Sequence, residues 1–332
     1  MNRIRLGIIR TNKISEWLIR GSRFDKRCTI SAVCSRSMEK AKEFAYEHDI
    51  PHCFDSVEKM AMSTDVDAVY IATPNSFHAR HSIICMRYGK HVLCEKPLAS
   101  NAKEVRKMID TSEKYGVVLM EAMKTTVTPN FKNIISNIGD IGVIRRYFSS
   151  YCQYSSRYDN FKKGSVQNAF NPEFSNGAVM DIGIYTIYPM VVLFGKPLEI
   201  SVSGTMLSSG VDGQGAAIFR YEQMDAAAIY SKIANSYLPS EIQGEDATIS
   251  IKDIHNMKEI AVSSGKNTFD TTWNHNEYID EYYYEIAEFI DVILSGSIES
   301  KINSHRNSLI TIEIIDEIRK QINLKFPADF IS

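Results

Sequence analysis

Two polar pairs in the chain have residue types and spacing that suit proton transfer. Glu95 and Lys96 follow an apolar run and precede a proline. A half-buried lysine is the kind whose pKa falls towards the range of acid–base catalysis. Asp181 and Tyr185 are four residues apart, so on a helix the carboxylate and the phenol share one face. Lys96, Asp181 and Tyr185 are the candidate catalytic residues; the alternatives are a strand-end salt bridge and a tyrosine of the core.

The polar residues Thr73, Asn75 and His78, with Pro74 between the first two, also follow the preceding apolar run. Ligands of open parallel sheets bind beyond the carboxyl ends of the strands. These four residues, and the Glu-Lys pair, are therefore candidates for cofactor binding. His78 taken alone is more often a structural histidine.

The turn after the first apolar run lacks the glycines of a dinucleotide fingerprint. Those glycines permit a tight bend and a close approach of the backbone to a pyrophosphate. The fingerprint positions here hold Arg10, Asn12 and Ser15. Arg10 either blocks the pyrophosphate or clamps it through its guanidinium fork, and a plain strand–helix turn without a ligand is the alternative. The candidate cofactor-binding residues of this segment are Gly7, Arg10, Thr11, Asn12, Lys13 and Ile14.

The second apolar run ends before Ser35 and Arg36. An acidic residue at this place favours NAD, whereas an arginine accommodates a 2′-phosphate. A hydroxyl next to a guanidinium suits phosphate recognition. The sequence therefore favours NADP, with NAD as the alternative, although an exposed arginine before a helix is also commonplace.

The hydrophobic periodicity supplies a scaffold for these residues. In the first part of the chain, short apolar runs alternate with segments of helical spacing. The predicted strands are 3–9, 30–34, 68–72, 91–93 and 117–120, and the predicted helices are 13–24, 38–48, 76–88 and 102–115. This alternation predicts an α/β Rossmann domain, a doubly wound parallel sheet covered by helices on both faces.

After about residue 123 the pattern changes to strands linked by turns, with flanking helices. The predicted strands are 143–154, 200–207, 215–221, 226–232, 241–243 and 248–251, and the predicted helices are 129–137, 178–193, 278–294 and 304–322. We expect domain 1–122 to bind the dinucleotide. We expect domain 123–332 to be an α+β domain with a large, mostly antiparallel sheet for substrate binding and oligomerisation. The C-terminal helix is expected to pack back on the Rossmann domain.

Composition narrows the function class. The chain has 332 residues, and 38 Lys and Arg nearly balance 40 Asp and Glu, so no overall field attracts nucleic acid or an anionic membrane. We expect a small-molecule partner, no nucleic acid and no membrane. No signal peptide and no apolar run approaching a membrane span is recognised, which predicts a cytoplasmic protein. The six cysteines show no metal-binding spacing, so we expect reduced, mostly buried thiols and no metal.

In order and spacing, four motifs together resemble the Gfo/Idh/MocA family over nearly the whole chain. They are Ala72-Thr73-Pro74-Asn75 with His78, Cys94-Glu95-Lys96-Pro97, Met120-Glu121-Ala122, and Gly177 through Tyr185. With Arg36, they are similar to the branch that contains dimeric dihydrodiol dehydrogenase and NADP-linked D-xylose dehydrogenases.

The resemblance implies an NAD(P)-dependent oxidoreductase that acts on a hydroxyl or carbonyl carbon. Tyr185 would be the acid–base group, Lys96 would bind substrate and relay a proton, and Asp181 would orient Tyr185 or the substrate. Thr73, Asn75 and His78 would line the nicotinamide side of the cofactor. It further implies that the peptide bond before Pro97 is cis, and that the chain forms a homodimer or homotetramer through the C-terminal sheet.

Two departures from the family pattern affect the interpretation. Arg10 replaces a glycine of the phosphate turn, and Lys124 stands where the dihydrodiol branch has an aromatic residue. The second departure favours a sugar or polyol over an aromatic diol as substrate. The first leaves a second hypothesis open, a catalytically silent relative that serves as a nucleotide or sugar sensor or as a subunit.

Overall fold

The computed structural model describes residues 3–264, 269–274 and 279–330. By its internal contacts the chain forms two compact units. Unit 1 comprises Met1–Lys124 and Ile279–Leu309, and unit 2 comprises Thr125–Tyr278 and Ile310–Ser332. A single division between residues 122 and 123, as predicted, leaves segment 279–309 out of the first unit.

The bounds of the regular elements are as follows. The strands are β1 (Ile4–Ile9), β2 (Cys28–Cys34), β3 (His52–Phe54), β4 (Ala68–Ile71), β5 (His91–Glu95), β6 (Leu119–Ala122), β7 (Ile144–Cys152), β8 (Glu199–Met206), β9 (Asp212–Arg220), β10 (Asp225–Ser231), β11 (Ser240–Gly244), β12 (Thr248–Asp253), β13 (Lys258–Ser263) and β14 (Phe269–Thr272). The helices are α1 (Lys13–Ser22), α2 (Met38–His48), α3 (Val57–Met62), α4 (His78–Arg87), α5 (Ala102–Tyr115), α6 (Pro129–Asn137), α7 (Tyr158–Lys162), α8 (Ile184–Phe194), α9 (Glu281–Leu294) and α10 (His305–Gln321).

The sheet of unit 1 has the order β3-β2-β1-β4-β5-β6, and every pairing in it is parallel. This confirms the predicted doubly wound sheet, whose order reverses between β1 and β4. The strand β3 and the helix α3 are absent from the prediction, because both are too short to show a period. The central strand β4 is buried on both faces, as a sheet covered by helices requires.

Segment 279–309 completes unit 1 by packing a helix against α1. Gly21 on α1 lies so close to α9 that a Cβ atom would stand 2.7 Å from the Cβ of Tyr282. Arg20 Nη2 donates a hydrogen bond of 2.7 Å to Asp280, whose other oxygen caps α9 at Tyr282 N. The two helices are therefore joined by close packing and by an ion pair.

Unit 2 is built on an eight-stranded sheet of order β14-β13-β12-β11-β7-β10-β9-β8. Only the pair β7 and β10 is parallel, which confirms a mostly antiparallel sheet. The prediction omitted β13 and β14. The C-terminal helix α10 only begins in unit 1, where His305 Nε2 lies 3.0 Å from Leu119 O. Its end contacts β8, because Gln321 Nε2 donates to Ile200 O at 2.8 Å.

One stretch of the described residues is long and apolar enough for a membrane span when it is judged by length and composition alone. Residues Pro172–Phe194 pass that test, but 78% of the apolar window is buried inside the fold. The stretch contains α8, which packs on β7 and β10. A core helix of a globular unit accounts for its composition.

We expect Gly21→Ala to destabilise the protein by about 1 to 3 kcal/mol, because the added methyl group overpacks the contact between α1 and α9. Denaturant unfolding monitored by circular dichroism measures the change. Gly139→Ala is the matched control, since no atom lies within 4 Å of the added Cβ atom. Equal stabilities of the two variants would contradict the close contact.

Candidate active site

The turn after β1 keeps the backbone path of a glycine turn although it holds an arginine. Arg10 has φ 109°, a conformation that side chains other than glycine rarely adopt. Ser15 Oγ donates to Arg10 O at 2.8 Å, and Asn12 caps α1 by accepting from Ser15 N at 2.9 Å. Arg10 Nη1 and Asn12 Nδ2 both donate to Ala72 O, at 3.4 and 3.2 Å. The turn is thereby tied to the end of β4.

The other residues predicted in this segment have different surroundings. Gly7 lies inside β1, where a Cβ atom would stand 2.9 Å from Met60 Sδ, so its lack of a side chain serves packing. Lys13 is exposed, with its ammonium 5.8 Å from the centre of the Trp17 ring. Thr11 and Ile14 are partly exposed. The N-terminus of α1 lies at this turn, and the N-terminus of a helix suits the pyrophosphate of a dinucleotide.

Ser35 and Arg36 lie at the carboxyl end of β2, directly before α2. Ser35 N donates to Phe54 O at 3.1 Å, which fixes the backbone there. Arg36 is exposed, and Ser37 caps α2 by accepting from Lys40 N. A guanidinium at this place fits a phosphate group on the adenosine ribose.

His78 links two of the predicted segments. Its side chain is fully buried, with Nδ1 2.9 Å from Pro97 O and Nε2 2.7 Å from Thr73 O. Burial lowers the pKa of His78 to about 4. Pro74 and Asn75 lie in the turn between these contacts and are partly exposed. His78 is thus a structural tie between the turn after β4 and the turn after β5.

The charged pair Glu95 and Lys96, at the end of β5, is stabilised by polar neighbours. Glu95 is buried and accepts a short hydrogen bond from the hydroxyl of Tyr70. Burial raises the pKa of Glu95, and the Lys96 ammonium opposes that rise. Lys96 is half-buried, and its peptide bond to Pro97 is cis, as expected.

Other buried charges surround this pair within unit 1. Glu121 Oε1 accepts a hydrogen bond of 2.9 Å from Leu98 N, and burial raises the pKa of Glu121 to about 7. Burial, reinforced by the Glu95 carboxylate, raises the pKa of Glu285 well above its usual value. Lys124 is also buried, and its ammonium lies 3.4 Å from Glu281 Oε1. We call Glu95, Glu121, Glu285, Lys96 and Lys124 the charged cluster.

In unit 2, Asp181 is held by a lysine that sequence reasoning missed. Lys232 Nζ lies 2.5 Å from Asp181 Oδ2, donates to Ala169 O at 3.2 Å, and stands 4.9 Å from the centre of the Phe170 ring. Lys232 is 3% exposed, so a counter-charge is required at this place. Asp181 lies in a π-helical turn, Val179–Gly183, directly before α8, a feature that is frequent at functional sites.

The start of this turn is capped from the sheet. The carboxylate of Asp212 on β9 accepts from the backbone N–H groups of Ala178 and Val179, at 2.9 and 2.8 Å. Burial raises the pKa of Asp212 to about 6. Gly177 has φ 144°, and a Cβ atom there would meet Asp212 Oδ1 at 2.1 Å. The glycine is therefore needed for the cap.

Tyr185 lies one turn further along, buried against two aromatic side chains. Its ring centre is 5.7 Å from that of Tyr151 and 6.0 Å from that of His255, both in edge contact. Tyr151 and His255 are stacked at 4.8 Å, and His255 Nδ1 lies 2.5 Å from Asp253 Oδ1. Burial raises the pKa of Asp253, but its contacts with His255 and Asn256 together bring that pKa below its usual value.

The predicted site residues therefore form two groups. Unit 1 brings the turns after β1 and β4 together at Ala72, and those after β4 and β5 at His78, whereas Arg36 lies at the end of β2. Unit 2 places Asp181 and Tyr185 at the start of α8. All six cysteines are free and four are buried, as expected. Among the described residues, no group of three or more His, Cys, Asp or Glu side chains could hold a metal ion.

Comparisons with known proteins match both units. The family model for the Gfo/Idh/MocA oxidoreductases, described as "Oxidoreductase family, NAD-binding Rossmann fold", matches residues 4–123. The model described as "GFO/IDH/MocA C-terminal domain" matches residues 132–250.

Curated relatives cover nearly the full length. The chain is 46% identical to a scyllo-inositol 2-dehydrogenase (NADP(+)) of Bacillus subtilis, over 98% of this chain and 99% of that one. It is 31% identical to a trans-1,2-dihydrobenzene-1,2-diol dehydrogenase of Xenopus tropicalis, over 90% and 91%. A solved aldose-aldose oxidoreductase from Caulobacter crescentus has the same fold, with TM-score 0.85 at 19% identity, covering 97% and 98%.

We expect Glu121→Gln to stabilise the protein by about 2 kcal/mol more at pH 8 than at pH 5. The folded-state pKa of Glu121 is raised to about 7, so its contribution to stability is fully present below its unfolded pKa of about 4.3 and is lost as the pH rises to about 7. Glutamine cannot ionise and removes this loss. Urea unfolding at both pH values measures the difference. A gain that is equal at both would contradict the raised pKa.

Proposed function

The chain belongs to the Gfo/Idh/MocA family of oxidoreductases, and we propose that it transfers hydride between NADP and a hydroxyl or carbonyl carbon of a sugar or polyol. The chain is an NAD(P)-dependent enzyme that acts on CH–OH groups. The proposed role is in carbohydrate metabolism, and the proposed location is the cytoplasm. The observation that carries the proposal is the anchored Glu95-Lys96-Pro97 turn at the carboxyl edge of the Rossmann sheet.

The nucleotide turn supports NADP as the cofactor. Arg10 takes up φ 109°, so the backbone provides the tight bend that a glycine provides in the fingerprint. Its guanidinium lies beside Ala72 O at the carboxyl edge of the sheet, and the planar fork of an arginine suits phosphate oxygens. Arg36 before α2 would bind the 2′-phosphate, and Thr73 and Asn75 would line the nicotinamide side.

Tyr185, Lys96 and Asp181 are the side chains proposed to handle the proton of the substrate hydroxyl. The bound nicotinamide exchanges a hydride with the substrate carbon. Tyr185 takes the proton of the substrate hydroxyl during oxidation, or gives it back during reduction. The Lys96 ammonium stabilises the developing alkoxide or the phenolate. Asp181, neutralised by Lys232 at 2.5 Å, orients the substrate or Tyr185.

The substrate class follows from the relatives and from Lys124. The 46% identical relative is named for scyllo-inositol and NADP. At the position where the dihydrodiol branch has an aromatic residue, this chain has Lys124, which is buried beside Glu281. A cyclic polyol is therefore the first candidate. The test is reduction of NADP+ at 340 nm with scyllo-inositol, other inositols and aldoses. Absence of turnover with all of them, and of NADPH oxidation with the corresponding ketones, would overturn the proposal.

We expect Lys96→Met and Tyr185→Phe each to lower kcat by about 100-fold or more, the usual contribution of a positioned acid–base group. Both replacements conserve side-chain volume, so the affinity for NADPH should stay near wild type, as should the melting temperature of Tyr185→Phe. Steady-state kinetics and NADPH fluorescence measure the two effects. Wild-type turnover in Tyr185→Phe would remove the phenol from the mechanism.

We expect Arg36→Ala to weaken NADPH binding about tenfold, the loss of one charge-assisted hydrogen bond, and to leave NADH binding unchanged. Only NADPH carries the 2′-phosphate. Fluorescence titrations with both cofactors give the ratio, and Arg80→Ala, another exposed arginine of unit 1, is the control. Equal losses for both cofactors would contradict the assignment.

The outer face of the large sheet in unit 2 supports association into a homodimer or homotetramer. Its central positions are apolar or small and at least partly exposed, whereas ion pairs border it, among them Arg220 with Glu199 and Arg146 with Asp225. The central residues are Phe148, Ser150, Ala216, Ile218, Ala227 and Ile229. An apolar centre with a polar rim is typical of an interface between subunits.

We expect light scattering to give a mass of two or four chains of 37.6 kDa, and Ile218→Arg to reduce it, because the charge would be buried without a partner. Ile218 is 54% exposed within one chain. Tyr46→Arg, which changes an exposed residue of α2, is the control and should keep the wild-type mass. A monomeric wild-type protein would refute the interface.

A further inference from the structure

The His255-Asp253 pair of unit 2 has no role in the function proposed above. Asp253 ends β12 and His255 lies in the turn that follows it. Asp253 Oδ1 lies 2.5 Å from His255 Nδ1, so Nδ1 carries a proton that it donates to the carboxylate. Among the described residues, the hydrogen bonds of the imidazole are confined to this nitrogen, and Nε2 is left to act on a ligand.

The imidazole is also held in place by ring contacts on the Tyr185 side. It is stacked on Tyr151, with an interplanar angle of 6°, and its ring centre is 6.0 Å from that of Tyr185. The backbone of the turn is fixed as well, because Thr125 Oγ1 donates to His255 O at 2.7 Å. A polar group with a fixed orientation beside the proposed acid–base tyrosine is suited to bind the same small molecule.

We propose that His255, oriented by Asp253, binds a second hydroxyl group of the polyol through Nε2 and thereby determines specificity for substrates with several hydroxyls. The inference rests on the proposed function, in which Tyr185 serves the hydroxyl of the reacting carbon. Two polar rings whose centres are 6.0 Å apart can reach two hydroxyls of one six-membered ring. A site built to hydrogen-bond a hydroxyl discriminates strongly against analogues that lack it.

The variants are chosen so that the fold survives. His255→Phe keeps a ring that can stack on Tyr151 and contact Tyr185, and it removes only the ring nitrogens. Asp253 then still accepts from the backbone N–H groups of residues 255 and 256 and from Asn256 Nδ2. His255→Gln is the conservative variant, because its amide oxygen can accept a hydrogen bond from a substrate hydroxyl in the place of Nε2. His52→Phe changes a histidine 3.9 Å from Asp65 in unit 1 and is the matched control.

The experiment is steady-state kinetics with NADP+ and scyllo-inositol, or with the best polyol of the wild-type screen. We expect His255→Phe to raise KM for the polyol at least tenfold while kcat stays within about threefold and NADPH affinity is unchanged. His255→Gln should restore most of the loss, and His52→Phe should behave like the wild type. Wild-type KM in His255→Phe, or a loss of kcat and NADPH affinity in its place, would overturn the inference and leave the proposed function standing. A wild-type protein without activity on any polyol would overturn both.

Discussion

A carboxylate and an ammonium at the buried end of a parallel strand are stable only if their surroundings compensate them, because each ion loses its hydration there. Unit 1 meets this requirement for Glu95 and Lys96. Tyr70 donates a hydrogen bond to Glu95, and Glu121 accepts one from the backbone N–H of Leu98, just beyond the turn. His78 ties the same turn to the segment after β4. The position of Lys96 is therefore fixed by several elements at once.

The compensation also explains why unit 1 contains a distant segment of the chain. Glu281, at the start of α9, faces the Lys124 ammonium at 3.4 Å, and Asn303 Nδ2 donates to the carbonyl groups of Glu121 and Met123, both at 3.1 Å. These contacts complete the surroundings of the charged cluster from beyond residue 279. In unit 2 the same principle applies on a smaller scale, where Lys232 neutralises Asp181 and Asp212 caps the turn that carries it.

Sequence periodicity was sufficient for the parallel sheet, because strands such as β4 are buried on both faces and alternate with long amphipathic helices. It missed β3 and α3, which are too short for a period, and it did not recognise β13 and β14. Motif order pointed to Lys96, Asp181 and Tyr185 as the candidate catalytic residues. Lys232 and His255 escaped detection because their partners, Asp181 and Tyr185, are 51 and 70 residues away, and only the sheet topology brings them together. Arg10 was recognised as a departure, but its positive φ is a property of the folded backbone.

Binding of NADP by a nucleotide turn that holds Arg10 is the central claim, and a titration of the full-length protein with NADPH and NADH tests it most directly. Cofactor fluorescence and the melting temperature should be recorded together, since a ligand of the folded state raises apparent stability. The account predicts binding of NADPH in the micromolar range, tighter than that of NADH, with a rise in melting temperature. No binding of either cofactor would contradict the account and would favour a catalytically silent relative.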